Sequence, residues 1–192
     1  NIYNVNQNGS HLLIPTTGSA VFRFNGGVLQ ATQNDNLGDP DVVTEGTTNL
    51  MGNLTHAYVG SGGTKIDTAG FTCGVNQAME HDASGPAIDG GLTKLSLGKL
   101  TLYKNSTCTG PTVVRAGVLS CATATSLAAT PLEIKASAQV DLRYSGTRTI
   151  PSLTLGGVVK GPGVYGMGTD PTYFTGTGTV TVQPPTPPTP TL

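Results

Sequence analysis

Between Gly90 and Leu119 the chain reads GGLTKLSLGKLTLYKNSTCTGPTVVRAGVL, and this stretch sets the terms for the rest. Leu92, Leu95, Leu97, Leu100, Leu102, Val114, Val118 and Leu119 fall in short apolar patches separated by Gly, Lys, Asn and Thr. Patches this short, bounded by turn residues, predict brief strands and no helix. Lys99 to Tyr103 alternates strictly, so Leu100 and Leu102 are predicted to face a core, with Lys99, Thr101 and Tyr103 outward. Gly98 and Asn105-Ser106 close that strand with turns.

Composition points the same way. Charged residues are 11% of the 192, apolar residues 36%, and there are 27 glycines. Long surface helices need Lys and Glu on their wet side, so the balance favours an all-β fold of short strands. A formal net charge of −1 supplies no field for nucleic acid or an anionic membrane, and a surface so weakly charged associates readily. The chain has no apolar run of eighteen residues that would span a bilayer.

The residues Gly90-Gly91-Leu92-Thr93-Lys94, Gly98, Leu100-Thr101-Leu102, Thr109-Gly110, Thr112, Val114, Ala116-Gly117 and Leu119 carry a family likeness. In this stretch the chain resembles the autotransporter-associated β-strand repeat, or passenger-associated transport repeat, of secreted bacterial proteins. Ser96, Lys104, Ser106 and Cys108 depart from its pattern, at positions that govern local turns. The resemblance implies a right-handed parallel β-helix, a β-solenoid, displayed outside the cell or on the bacterial surface and without catalysis.

Three regions follow. Residues 1–18 are polar and Asn-rich, expected either to cap the first coil or to act as an assembly arm carrying Ile2, Tyr3, Val5, Leu12, Leu13 and Ile14 to a neighbouring subunit. Residues 19–182 form the β-solenoid domain. Residues 183–192, with repeated Pro-Pro-Thr, are an extended linker or tail that in a whole protein leads to a further domain or anchor. The opening Asn1-Ile2-Tyr3 reads as a processed or trimmed N-terminus.

Within the solenoid segment, Val21–Gln30 reads as two strands about an Asn-Gly-Gly corner. Gly27-Val28-Leu29 matches Gly117-Val118-Leu119, as Thr64–Asp67 matches Ala138–Asp141, a faint internal repeat. Val42-Val43 and Ala57-Tyr58-Val59 are further strand signals. Leu132, Ile134, Val140, Leu142 and Tyr144 are expected on the inner face, and Ile150, Leu153 and Leu155 supply another layer. Gly161–Gly166 reads as a turn-rich loop and Tyr173–Val182 as one final strand.

Chemistry-bearing residues are few. Glu80-His81-Asp82 is the one cluster that resembles a site, and it reads as a solvated loop without enough ligands for a metal or a partner for a general base. His11 and His56 stand alone. Ten scattered basic residues argue against a polysaccharide-degrading enzyme. Gly60–Gly63 precedes no helix and so makes no phosphate loop. No cofactor is expected. Tyr3, Tyr58, Tyr103, Tyr165 and Tyr173 are material for a glycan-stacking face only if they align, and there is no Trp. Asn8, Asn53 and Asn105 open glycosylation sequons. Of Cys73, Cys108 and Cys121, an oxidising compartment would pair Cys108 with Cys121; otherwise all three are small buried apolar side chains. The expected role is a non-enzymatic structural subunit of an extracellular fibre or layer, joined through its arm and its ends. The alternative is a surface adhesin or glycan-binding passenger whose loops, such as Asn76 to Gly90, carry specificity.

Overall fold

The structure is a computed structural model that describes residues 2–4, 19–32, 34, 50–52 and 54–184. It is all-β, with parallel pairing dominant. After β1 (Ile2–Asn4), the chain makes three passes through the same three sheets in the same order. The first pass is β2 (Val21–Phe24), β3 (Val28–Gln30) and β4 (Met51–Gly52). The second is β5 (His56–Val59), β6 (Thr64–Asp67) and β7 (Thr72–Asn76), and the third β8 (Met79–His81), β9 (Leu92–Leu95) and β10 (Lys99–Leu102). Two shorter passes follow, β11 (Thr112–Val114) with β12 (Gly117–Cys121), then β13 (Leu132–Ile134) with β14 (Ala138–Leu142). The last strands are β15 (Thr147–Ile150), β16 (Leu153–Leu155), β17 (Val158–Lys160), β18 (Gly163–Gly166), β19 (Phe174–Gly176) and β20 (Thr179–Val182).

Sheet I runs β1-β3-β6-β9-β11-β13-β16-β17, sheet II β19-β14-β12-β10-β7-β4, sheet III β2-β5-β8 and sheet IV β15-β20-β18. Along sheet I, Leu92 pairs with Thr112, Thr112 with Leu132 and Leu132 with Leu153, steps of 20, 20 and 21 residues. In-register parallel pairing stacks like positions. Leu29, Ile66, Lys94, Val114, Ile134 and Leu155 form one inward column of sheet I. Cys73, Leu100, Leu119, Val140 and Phe174 form a column of sheet II, beside Met51, Val75, Leu102, Cys121 and Leu142. All of these are buried, so the apolar core lies between the sheets.

Glycine at the corners makes the close stacking of passes feasible. A Cβ on Gly91 would lie 1.9 Å from the Pro111 carbonyl oxygen, and its φ of +65° suits no other residue well.

Several expectations are corrected. The match of Gly27–Leu29 with Gly117–Leu119 is not structural, because β3 belongs to sheet I and β12 to sheet II; Thr64–Asp67 and Ala138–Asp141 divide the same way. Tyr173–Val182 is not one strand: β19 joins sheet II and β20 sheet IV. Gly161–Gly166 holds strand β18 rather than a loop alone, and Glu80 and His81 end β8 instead of opening a loop. Ile150 lies in sheet IV, apart from Leu153 and Leu155 in sheet I. Thr101 was expected outside yet is 1% exposed, in a row of small residues with Gly74 and Ser120 that are buried too. The Lys99 side chain reaches across β12 toward Asp141 (3.5 Å), over that row.

Cys73, Cys108 and Cys121 are free thiols, all buried, so the pairing of Cys108 with Cys121 is not formed. Cys121 sits in β12, stacked between Leu102 and Leu142, whereas Cys108 lies in the loop before β11 with its Sγ toward the Met79 carbonyl (3.7 Å). The other reading of the three cysteines, as small apolar side chains, describes them. β1 pairs in parallel with β3 of its own chain, Ile2 opposite Val28 and Tyr3 opposite Leu29. Val5, Leu12, Leu13, Ile14, His11, Asn8, Asn53 and Val42-Val43 lie outside the described residues.

Candidate functional site

Polar and titratable side chains concentrate on sheet III and the loop that leaves it. Arg23 of β2, Tyr58 of β5 and Glu80 of β8 stand in register, so strand alternation sets all three on one face. Tyr58 has two partners: the His56 ring stacks on it at 5.0 Å with an interplanar angle of 12°, and the Arg23 guanidinium lies 4.6 Å from its centre. His56 Nδ1 meets Glu80 Oε2 at 3.0 Å, and Arg23 forms an ion pair with Asp82.

The loop from Asp82 to Asp89 is tied down at each end. At its start Asp82 Oδ1 accepts from the Ser84 hydroxyl (2.6 Å) and the Ser84 amide (3.1 Å), and these bonds hold its carboxyl below the ordinary carboxylate value. At its end Asp89 is buried, and its Oδ1 accepts from the amides of Gly91 (2.8 Å) and Gly110 (2.9 Å). Asp89 Oδ2 accepts from the Thr109 amide (2.8 Å) and the Thr109 hydroxyl (3.1 Å), and meets His81 Nδ1 at 2.9 Å. Burial by itself pushes the Asp89 carboxyl up, but the bonds from Thr109, Gly110, His81 and Gly91 hold it below its ordinary value. One carboxylate thus fastens three chain segments. Between the two anchors Ala83–Ile88 is exposed, with Ile88 at 69%.

Glu80-His81-Asp82, which sequence reasoning set apart as a solvated loop, is thus divided among three separate contacts: Glu80 with His56, His81 with Asp89, Asp82 with Arg23. Both histidines spend Nδ1 on a carboxylate, and His81 Nδ1 also lies 3.2 Å from the Thr109 hydroxyl, which itself donates to Asp89 Oδ2. Among the described residues no group of three His, Cys, Asp or Glu side chains could hold a metal. The arrangement orders the loop.

Lys94 is the functional-looking residue that sequence reasoning passed over. Its place in β9, two residues after buried Leu92, was the available signal, because alternation puts it on the inner face. It is fully buried, and its ammonium donates to Thr68 Oγ1 (2.8 Å) and to the carbonyls of Leu95 (2.8 Å) and Ser96 (2.7 Å). Burial brings its pKa down from 10.5 to about 8, with Cys73 and Asp67 acting in the other direction. Every proton of the ammonium is used, so it braces the corner before β10, where Ser96 has a φ of +51°.

The other candidates scatter. Tyr58 is in sheet III, Tyr103 follows β10, Tyr165 is in β18 and Tyr173 precedes β19, so they do not form one stacking face. Asn105 is exposed, and its side-chain oxygen accepts from the Thr125 hydroxyl. A cleft of roughly 260 Å³ lies along the β2–β3 corner, lined by residues from Phe22 to Gly27 and by Leu29. No helix among the described residues is long and apolar enough to cross a membrane. Fold and site define an all-β protein of stacked parallel strands with an anchored surface loop. Comparisons with protein-family models, with curated proteins and with solved structures find no match.

Proposed function

We propose that this chain is a non-catalytic secreted structural protein, a right-handed parallel β-helix that serves as a subunit of an extracellular fibre or surface layer. The observation that carries the reading is the repeated passage of the chain through sheets III, I and II in unchanged order, with in-register parallel pairing at each return. Parallel crossovers are right-handed in about 98% of cases, which supports the hand. The resemblance of Gly90–Leu119 to the autotransporter-associated repeat supports the extracellular setting. A stack of parallel strands ends in unpaired edges, which favours assembly end to end. Electron microscopy across a range of concentrations tests the role. Ordered filaments are expected, and dispersed rods at every concentration would defeat it.

A second reading, an adhesin or glycan-binding passenger, is favoured by the loop from Asp82 to Asp89. Its two carboxylate anchors hold Ile88 out in solvent, a preorganised contact surface. Saturable binding on a glycan array that is lost on replacing Ala83–Ile88 would move the assignment there.

A further inference from the structure

The last strand of sheet I differs from those before it. β16 and β17 make an antiparallel hairpin through Gly156 and Gly157, whose φ values of +56° and +89° fit the tight two-residue turn that antiparallel strands favour. In such a hairpin the residues flanking the turn, Leu155 and Val158, form the hydrogen-bonded pair. The next pair, Thr154 and Val159, is then the non-bonded kind. The amide and carbonyl of Val159 therefore point away from β16 to the free edge, and no partner for them occurs among the described residues.

The side chains at this edge are as unsatisfied as the backbone. Val158 extends the inward column that ends at Leu155, yet is 65% exposed, and Val159 on the opposite face is 72% exposed. Val164 in β18 and Met167 just after it are 54% and 53% exposed. Of the seven exposed large hydrophobics among the described residues, four lie within these ten positions. The one charge in β17, Lys160, is neutralised by Asp170 at 2.9 Å. Two such edges meet without repulsion, whereas an edge built to stay single carries free charge or proline.

We infer that β17 is a two-fold contact with a second copy of this chain, the two β17 strands pairing antiparallel with Val159 opposite Val159 of the copy. That pairing joins the free amide and carbonyl of each Val159 to those of the other, and covers Val158 and Val159. An antiparallel pair of identical strands is self-complementary, which a two-fold dimer requires. The contact deepens the fibre reading, since it supplies one of the two joints a fibre of such subunits needs.

Sedimentation of the full chain from roughly 10 µM to 1 mM, with three variants, tests it. The wild type is expected to pass from monomer to dimer. Val159→Lys should raise the dissociation constant about a hundredfold while leaving the melting temperature unchanged, because the residue is exposed. Val159→Cys should lock into a disulfide dimer under mild oxidation, while Val21→Cys, exposed on the edge strand β2, should not. A wild type that stays monomeric throughout, or a dimer indifferent to Val159→Lys, overturns the contact. Filaments that persist in Val159→Lys would overturn it and leave the fibre reading standing. A dimer abolished by Val159→Lys that never lengthens would uphold it and remove the fibre.

Discussion

Lys94 shows what one residue can do inside a stack of apolar positions. The five other members of its column are aliphatic, and burying an ammonium there is costly unless its protons are all bonded, as they are. Because folding depresses its pKa from 10.5 to about 8, the unfolded chain holds the proton more tightly. Stability therefore rises between about pH 8 and 10.5, through this group, as the unfolded chain also gives up its proton. A series of melting temperatures over that range should climb by a few degrees relative to Lys94→Met, in which this component is missing; parallel curves for the two proteins would refute the assignment. Asp89 gives the same sign of pH dependence from the opposite cause, because here folding favours the charged form. Its depressed pKa makes its contribution complete above the ordinary carboxylate range and progressively lost as the pH falls below it. Asp89→Ala leaves the buried amides of Gly91 and Gly110, and the Thr109 amide, without their acceptor, and is expected to cost about 3 kcal/mol or more in urea unfolding. At the cysteines, burial pushes the Cys108 and Cys121 thiols up to about 11 and about 12. A thiol reagent should label none of the three in the native protein and all three once it unfolds, whereas one label in denaturant would restore the disulfide.

At the scale of the element, strands were largely legible and their sheets were not. Leu132–Ile134, Ala138–Leu142 and Thr64–Asp67 alternate, and each is a strand with its apolar side chains buried. Alternation gives a strand two faces, but it does not say which neighbour pairs with it, which is why Gly27–Leu29 and Gly117–Leu119 look alike and lie in different sheets. The second strand of the final hairpin escaped notice because Val158-Val159 is too short for a periodic signal and is set among glycines. Corners are where the elements constrain one another most. Gly91→Ala forces a Cβ against the Pro111 carbonyl at a positive φ and is expected to destabilise by about 3 kcal/mol, measured by urea titration beside Gly161→Ala, where a Cβ meets nothing within 4 Å. Equal midpoints for the two variants would show that the passes are not stacked this closely.

Across the whole molecule, strand partners in the stack lie about twenty residues or more apart, so little of the core can form from local contacts. Chains dominated by distant pairings fold slowly, and refolding from urea, followed by far-ultraviolet circular dichroism because the chain has no Trp, should take on the order of milliseconds to seconds or longer. Complete recovery within microseconds would contradict the topology. By itself the sequence determined that the chain is all-β: few charges, many glycines and period-two patches leave no wet helix face to build and many corners to turn. It also marked the buried side of most strands, since alternation is a local property. Tertiary structure alone decided which strand stacks on which, and therefore that Lys94 lies inside an apolar column, that Asp89 joins segments twenty residues apart, and that β17 is the last strand of its sheet among the described residues. Those outcomes depend on pairing between distant parts of the chain, which no local pattern encodes.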